Sequence, residues 1–232
     1  MQCVILAAGR GTRMEELTSS VPKPMLMVGG KTLIEHKLDA LPDEVTEVVF
    51  VVGYLGNVIR EHFGSLYAGK KILYENQETL DGTAGALFRT EHFLADRFLV
   101  MMGDDIYAKA DIEQCIAAKD WALLVQQIPH LRRAGDVHLG ADGNIEDIIE
   151  GDKWEEAGIA STNMFMLDTR LFSQPMIPKQ KGSPEFGLPQ TVVAASHALN
   201  IRLEPVFTDQ WTQITSPKDL TVAEEVIKKA SI

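Results

Sequence analysis

The fold is decided by residues 4–14, which read Val4-Ile5-Leu6-Ala7-Ala8-Gly9-Arg10-Gly11-Thr12-Arg13-Met14. The first five are apolar, as in a strand that is buried on both faces of a mostly parallel sheet. A loop with two glycines, a hydroxyl and two arginines follows, at the strand end where α/β sheets bind ligands. Backbone N–H groups in such a loop can cradle phosphates. The stretch therefore predicts a phosphate-binding loop in an α/β protein.

Strand and helix patterns alternate beyond this loop. A first helix is predicted from Leu33, Ile34, Leu38 and Leu41, which share one helical face. Buried strands are predicted over 48–52, 71–75, 98–102, 122–128 and 163–167. Further helices are predicted over 83–95, over 112–119 and after the N-cap Ser216, with a hairpin over 137–149. This order predicts a three-layer α/β/α Rossmann-like fold with a mostly parallel, mixed central sheet, and residues 1–232 as a single domain.

Composition excludes several function classes. The 232 residues carry 22 Lys and Arg against 33 Asp and Glu, a net charge of −11 that opposes binding to nucleic-acid polymers or anionic membranes. Residues 1–31 reverse this balance, with four cations against two carboxylates, and can receive a small anion.

The two cysteines lack the spacing of a zinc site or disulfide framework. The chain starts in strand-like sequence without a leader and has no long apolar run, so a cytoplasmic protein is expected.

Two common phosphate-binding motifs do not fit the glycine loop. A dinucleotide fingerprint would need glycine where Met14 stands. A Walker loop ending in Gly30-Lys31-Thr32 would need glycine where Met25 stands. Taken alone, Gly9 and Gly11 could also form a plain tight turn.

The glycine loop is followed by Leu17-Thr18 and by Pro22-Lys23-Pro24-Met25. Together these segments closely resemble the signature of the sugar-phosphate nucleotidyltransferases, which include glucose-1-phosphate thymidylyltransferases and MurNAc-1-phosphate uridylyltransferases. The resemblance implies a Mg²⁺-dependent reaction that joins a nucleoside triphosphate to a sugar 1-phosphate and releases pyrophosphate. It also implies that the nucleotide is held by Ala8, Gly9, Gly11, Thr12 and Arg13, and that Lys23 reaches the α-phosphate or the acceptor phosphate.

The predicted chemistry explains why cations stand in this signature. The acceptor phosphate is already an ionised nucleophile, so the enzyme needs positive charge near the transferring phosphoryl group rather than a strong base. Arg13 and Lys23 suit that task, and with Asp104 they are the candidate catalytic residues. As isolated residues, they would more often be solvated surface charges.

A magnesium site is predicted at Asp104. The sequence Gly103-Asp104-Asp105 follows a buried strand, and the family has a Gly-Asp pair at this point. A carboxylate beside a phosphate loop suits Mg²⁺, although aspartates also form ordinary turns after strands. Gln213 stands where the family usually has a second metal-binding aspartate, and a neutral amide is a weaker ligand. Asp105 or Asp209 are candidates to compensate.

The base and the sugar have separate candidate contacts. Gln77, Gly82 and Thr83 resemble the family's base-reading segment and suggest uracil or thymine, although a glutamine amide can flip to suit several bases. Glu150, Asn163 and Glu185 are the predicted sugar contacts. The residues after Glu150 lack the family's lysine and proline, which leaves the acceptor-phosphate contact open. Residues 173–186 contain three prolines and predict an exposed loop that covers the acceptor site.

The preferred hypothesis is a transferase that uses UTP or dTTP with a sugar 1-phosphate. One alternative is a CTP- or GTP-dependent transferase that acts on another sugar phosphate or a phospho-alcohol. Another is a non-catalytic nucleotide-binding subunit that regulates a partner, which the altered residues at 213 and after Glu150 would suit. The family resemblance is also compatible with a homo-oligomer.

Overall fold

The computed structural model describes residues 1–131, 135–151 and 156–230. Its strands are β1 (Gln2–Ala7), β2 (Met27–Val28), β3 (Lys31–Thr32), β4 (Glu47–Val52), β5 (Leu66–Tyr67), β6 (Lys70–Asn76), β7 (Arg97–Met102), β8 (Asp105–Ile106), β9 (Trp121–Ile128), β10 (Asp136–Leu139), β11 (Ile145–Ile149), β12 (Gly158–Asp168), β13 (Leu203–Thr208) and β14 (Thr212–Gln213). Its α-helices are α1 (Leu33–Ala40), α2 (Gly56–Phe63), α3 (Gly82–Phe88), α4 (Lys109–Ala117), α5 (Leu188–Leu199) and α6 (Pro217–Ala230).

A ten-stranded sheet organises the molecule. Its parallel centre runs in the order β7-β1-β4-β6, so the carboxyl ends of these four strands meet at one edge. The long strand β12 joins β7 antiparallel and connects the centre to β9, β10 and β11. The parallel pair β9 and β13 completes the far side. The sheet is therefore mixed, with its parallel part under the glycine loop.

Side chains alternate between two apolar cores, one on each face of the sheet. On one face, Cys3 and Ile5 of β1 pack with the buried sides of α1, α2 and α4. On the other face, Val4 and Leu6 pack with α3 and α5. A smaller cluster joins Met14 to Ala223 of α6 and fixes the last helix beside the glycine loop. The predicted three-layer α/β/α fold is confirmed.

One predicted helix is wrong in its length. The helix expected over 83–95 ends at Phe88, and a short 3₁₀ turn follows at Glu91–Phe93. Buried Thr90 explains the end, because its backbone N–H and its hydroxyl both donate to the Leu87 carbonyl, at 2.9 and 2.7 Å. Polar side chains that bond locally to the backbone compete with helix continuation. The other predicted strands and helices are present, while α2, α5, β13 and the short strands β2, β3, β5, β8 and β14 were not predicted.

Helix α1 begins with a capping box. The Thr32 hydroxyl accepts a hydrogen bond from the Glu35 backbone, and the Glu35 carboxylate accepts one from the Thr32 backbone, at 3.1 and 2.6 Å. His62 and Tyr67 also bond the Glu35 carboxylate. These bonds fix the start of the helix that carries Lys37 into the core.

None of the helices within the described ranges has the length and apolar character that a bilayer crossing requires.

Replacing Glu35 by Gln should destabilise the protein by about 1 kcal/mol at pH 7. Burial acts to raise the pKa of Glu35, but hydrogen bonds from Thr32, His62 and Tyr67 outweigh it and lower that pKa to about 2. A depressed carboxyl pKa stabilises the fold above the unfolded value of about 4.3 and loses this effect as the pH falls. Urea unfolding should therefore show the difference at pH 7 and a narrowing difference below about pH 4.

The exposed residue Glu61 on α2 provides the control, since Glu61→Gln makes the same chemical change away from the capping box. Equal unfolding free energies for the two variants at pH 7 would contradict the stabilising role of Glu35.

Candidate active site

A cleft of about 460 Å³ opens at the carboxyl ends of the central parallel strands. The principal site residues predicted from the sequence all line this one cleft: Ala8, Gly9, Gly11, Thr12, Arg13, Lys23, Gln77, Gly82, Thr83, Asp104, Glu150, Asn163, Glu185 and Gln213. They come from segments far apart in the chain, and the sheet brings them together because parallel strands end at the same edge. The cleft is the expected place for a ligand in this architecture.

The glycine loop wraps closely around the segment that contains Lys23. Gly11 has a left-handed backbone with φ of 63°, which favours glycine. A Cβ atom at Gly11 would also lie 2.8 Å from the Lys23 Cβ. Its carbonyl accepts hydrogen bonds from the Met14 backbone and the Thr18 hydroxyl. Gly11 is thus required both for the turn and for the close approach of Lys23.

Lys23 and Asp104 form an ion pair at the centre of the cleft. The Lys23 Nζ donates to Asp104 Oδ2 at 2.5 Å. The Lys23 side chain is only 11% exposed, whereas that of Asp104 is 32% exposed. Lys23 lies in a buried 3₁₀ turn, and Asp104 follows the end of β7. The pair places a cation and a carboxylate side by side at the level of the phosphate loop.

A second lysine lies beneath the Asp104 loop and was not predicted. Lys37 of α1 is fully buried, and its Nζ donates to the carbonyls of Leu33 and Gly103, at 3.1 and 3.2 Å. Burial lowers the pKa of Lys37, and the charges of Asp105 and Asp104 oppose that effect. Its location on an otherwise apolar helical face was the available sequence signal, because such a charge must have a buried partner.

Asp105 is a buried carboxylate whose charge acts on this lysine. Its Oδ2 accepts hydrogen bonds from Trp211 Nε1 at 3.1 Å and from the Tyr107 hydroxyl at 3.4 Å. Burial and the neighbouring Asp104 charge raise the pKa of Asp105, whereas Lys37 and the Trp211 bond lower it. Asp105 therefore holds the floor of the cleft together, while Asp104 remains accessible above it.

Gln213 reaches the same region through a two-stranded pairing. Strand β14 runs antiparallel to β8, with Gln213 opposite Asp105, and Gln213 lines the cleft. Asp209 is exposed and is not among the lining residues. Within the described ranges, no cluster of three or more carboxylate, imidazole or thiol side chains is arranged to enclose a metal ion.

One wall is formed by the loop before α3. Gln77 is 5% exposed, and its Nε2 donates to Asp81 Oδ1 and to the Gly82 carbonyl, at 2.8 and 2.9 Å. The Thr83 hydroxyl accepts a hydrogen bond from the Leu188 backbone at 2.9 Å. Thr83 thus anchors the start of α5 as well as lining the cleft.

Another part of the cleft wall contains Asn163, Glu150 and Glu185. The pairing of β12 with β9 shifts register between Ser161 and Phe165, and Asn163 within this bulge has a left-handed φ of 57°. Bulges of this kind redirect a side chain and often lie beside active sites. The wall thereby offers one amide and two carboxylates, which are suitable groups for binding hydroxyls.

Lys179 adds a cation to this wall. It belongs to the loop 173–186, and its Nζ lies 3.6 Å from Glu150 Oε2. The loop is held by a backbone bond from Lys179 to Glu185 and by a bridge between Pro178 and Phe186. Lys153, the first lysine after Glu150 in the sequence, lies outside the described residues. Lys179 was not predicted, because a lysine in a proline-rich loop has no distinguishing local pattern.

Comparisons with known proteins show the family of this chain. A family model described as nucleotidyl transferase matches residues 2–230. The chain belongs to this family. The sequence analysis predicted a nucleotidyltransferase from the glycine loop and the Pro22–Met25 segment. That prediction is confirmed.

Two curated relatives illustrate the similarity, and one of them is named for a sugar phosphate. The UTP–glucose-1-phosphate uridylyltransferase AglF of Haloferax volcanii is 28% identical over 238 residues, covering 99% of this chain and 97% of AglF. The bifunctional protein GlmU of Methanococcus maripaludis strain C7 is 31% identical over 189 residues, which are 80% of this chain. The matched region spans only 45% of that GlmU protein.

Solved structures of other proteins share the fold. A Bacillus anthracis protein assigned as a glucose-1-phosphate thymidylyltransferase, crystallised with sucrose, superimposes with a TM-score of 0.80 at 25% identity. The alignment covers 97% of this chain and 94% of that one. The inositol-1-phosphate CTP transferase from T. maritima has a TM-score of 0.76 at 21% identity, covering 98% and 95% of the two chains. The latter likeness concerns the fold alone.

Replacing Lys37 by Met should lower the unfolding free energy by about 3 kcal/mol, because removal of one buried charge leaves its partner uncompensated. It should also reduce turnover by at least roughly tenfold, since Gly103 loses the contact that positions the Asp104 loop. Thermal or urea unfolding and steady-state kinetics would measure the two effects.

Lys31→Met is the matched control, since Lys31 lies beside the same helix and is exposed, paired with Asp39 at the surface. If Lys37→Met were as stable and as active as Lys31→Met, the anchoring role of Lys37 would be contradicted.

Proposed function

We propose that this chain transfers a uridylyl or thymidylyl group from UTP or dTTP to a sugar 1-phosphate and releases pyrophosphate. The observation that carries this proposal is that one cleft collects two kinds of groups. Arg13, Lys23 and the glycine loop offer cations and backbone N–H groups, and Asn163, Glu150 and Glu185 offer groups that bind hydroxyls. A triphosphate and a sugar phosphate would thus bind in the same cleft.

The reaction is a direct displacement at phosphorus. An oxygen of the acceptor phosphate attacks the α-phosphorus of the nucleotide, and the bond from that phosphorus to the bridging oxygen of the β-phosphate breaks. The electron pair leaves with pyrophosphate, and no proton has to be removed from the attacking oxygen. Such a reaction depends on alignment and on stabilisation of negative charge rather than on a base.

The cations of the cleft have distinct parts in this scheme. The Gly11 and Thr12 backbone and Arg13 hold the β- and γ-phosphates. When the triphosphate enters, Lys23 exchanges its contact with Asp104 for phosphate oxygens at the α-position. Lys179, beside Glu150, is the cation nearest the sugar wall and is suited to the acceptor phosphate. Positive charge is then available at both reacting phosphates.

The donor groups of the cleft also fit a magnesium ion. Mg²⁺ is usually held by one or two protein carboxylates together with waters and substrate phosphate oxygens. Asp104 and the Gln213 amide oxygen would hold it here, while Asp105 is buried and its Oδ2 accepts a hydrogen bond from Trp211. When bound, the ion would neutralise charge on the phosphate oxygens of the nucleotide.

The choice of a sugar 1-phosphate rests on both the wall and the relatives. Carboxylates and amides bind sugar hydroxyls readily. AglF, which this chain matches over nearly its whole length, is named for glucose 1-phosphate and UTP. We take residues 1–232 as one catalytic domain and expect it to act in the cytoplasm.

The proposed activity is tested by pyrophosphate release with Mg²⁺, with five nucleotides crossed against sugar 1-phosphates and phospho-alcohols. UTP or dTTP with a sugar 1-phosphate should give acceptor-dependent release, and the nucleotide-sugar should be recovered. Release only with CTP or GTP would assign the alternative donor class. Nucleotide binding without release in any combination would instead indicate a regulatory subunit.

Asp104→Asn should reduce kcat by about a hundredfold or more, because an amide is a poorer metal ligand than a carboxylate. The fold should stay intact, because the Asp104 side chain is partly exposed. Steady-state kinetics with a melting curve would measure this. Asp209→Asn serves as the control, since Asp209 does not line the cleft. Unchanged turnover in Asp104→Asn would remove the metal assignment.

Gln213→Asp should lower the Mg²⁺ concentration needed for half-maximal activity by roughly tenfold, since metal affinity follows ligand charge. A magnesium titration at saturating substrates measures this directly. An unchanged or higher requirement would show that residue 213 does not contact the ion.

A further inference from the structure

Gln77 has its amide orientation fixed by surrounding groups. Its backbone N–H donates to the Val52 carbonyl at 2.8 Å, so the residue is anchored at the end of β4. Both hydrogens of Nε2 are directed at acceptors, Asp81 Oδ1 and the Gly82 carbonyl. A flipped amide would place its oxygen against these two acceptors, and neither an ionised carboxylate nor a carbonyl can donate. These two acceptors therefore determine which atom of the amide is the nitrogen and which is the oxygen.

Asp81 is itself held firmly in place. Its Oδ2 accepts from Arg89 Nη2 at 3.0 Å, and the same guanidinium donates to the Gly85 carbonyl at 3.0 Å. A Cβ atom at Gly85 would lie 2.2 Å from Asp81 Oδ1, so the glycine leaves room for the carboxylate. The Asp81 carbonyl also accepts from the Phe186 backbone at 2.7 Å. Asp81 does not line the cleft, and its carboxylate contacts the lining residue Gln77.

The consequence concerns the oxygen of the Gln77 amide. Within the described part of the chain, Gln77 Oε1 accepts no hydrogen bond, and Gln77 lines the cleft. The amide therefore offers a base an acceptor and no free donor. Uracil and thymine carry a hydrogen on ring nitrogen 3, whereas cytosine has a lone pair there. A fixed acceptor favours the first pair of bases and repels the lone pair of cytosine.

We propose that Asp81, clamped by Arg89, is a positioning residue that fixes Gln77 as a hydrogen-bond acceptor and thereby selects uracil or thymine over cytosine. This inference rests on the proposed function for its biological setting, since it concerns the nucleotide end of the same cleft. It removes the ambiguity that a glutamine amide ordinarily leaves in base recognition.

Asp81→Asn tests the proposal with almost no change of shape. Arg89 still requires an acceptor, so the oxygen of the introduced amide faces Arg89 and its nitrogen faces Gln77. Gln77 is then held in its original orientation only by the Gly82 carbonyl, while the turned amide can accept from the new nitrogen and present Nε2 to the base as a donor. The variant should lower the preference for UTP over CTP by roughly tenfold, the effect of losing one well-oriented hydrogen bond to the base.

The measurement is calorimetric binding of UTP and of CTP in the presence of Mg²⁺, with melting curves for each variant. Glu78→Gln is the matched control, because it makes the same charge change at the neighbouring residue, which is not one of the two acceptors of the Gln77 amide. Wild type and Glu78→Gln should prefer UTP by at least roughly tenfold, and Asp81→Asn should lose that preference. Binding requires no turnover, so a failure of the proposed transfer reaction is seen separately in pyrophosphate release.

Three results would overturn the proposal. Equal affinities of the wild-type protein for CTP and UTP would contradict the proposal without any variant. Equal weakening of both nucleotides in Asp81→Asn would give Asp81 a merely structural role. If Asp81→Asn does not fold, Arg89→Gln serves instead, since it releases the clamp on Asp81 and should lower the UTP preference in the same direction; an unchanged preference there would contradict the proposal.

Discussion

The buried ammonium of Lys37 is the contact on which the site depends. It joins helix α1 to the Gly103 carbonyl at the end of β7, and it lies close enough to Asp105 and Asp104 to interact with both charges. A charge at this depth is tolerated only with partners, so helix, strand end and carboxylates must assemble together. The capping box at Thr32 and Glu35 supports the same helix one turn earlier. The stability of the core and the position of Asp104 are therefore linked.

The distribution of charge explains how a strongly acidic protein can receive a triphosphate. The net charge of −11 is spread over the chain, whereas Arg10, Arg13 and Lys23 line one end of the cleft. Lys23 is neutralised by Asp104 in the free protein, which limits the cost of holding a cation in a mostly buried position. An incoming phosphate can replace that partner. The same contact would thus serve stability before binding and charge stabilisation afterwards.

The sequence was informative where the determinants are local. The glycine loop, the strand ends and the Gly103–Asp105 segment follow regular patterns, and their residues do meet in one cleft. Lys37 could not be assigned because its partner Gly103 lies 66 positions away in the chain. Lys179 reaches Glu150 from a loop without periodicity, and the helix after Gly82 ends early because Thr90 bonds locally. The orientation of the Gln77 amide could be assigned only from the structure, because contacts with Asp81 and Gly82 set it and no sequence motif does.

The central claim is that both substrates lie in one cleft and react by direct displacement. The most direct measurement is the stereochemical course at phosphorus, using a single diastereomer of the α-thio analogue of UTP with a sugar 1-phosphate and ³¹P NMR of the nucleotide-sugar product. Direct attack of the acceptor phosphate predicts inversion of configuration at the α-phosphorus. Retention would require a covalent nucleotidyl-enzyme intermediate and would contradict the account, as would a failure to form any acceptor-dependent product.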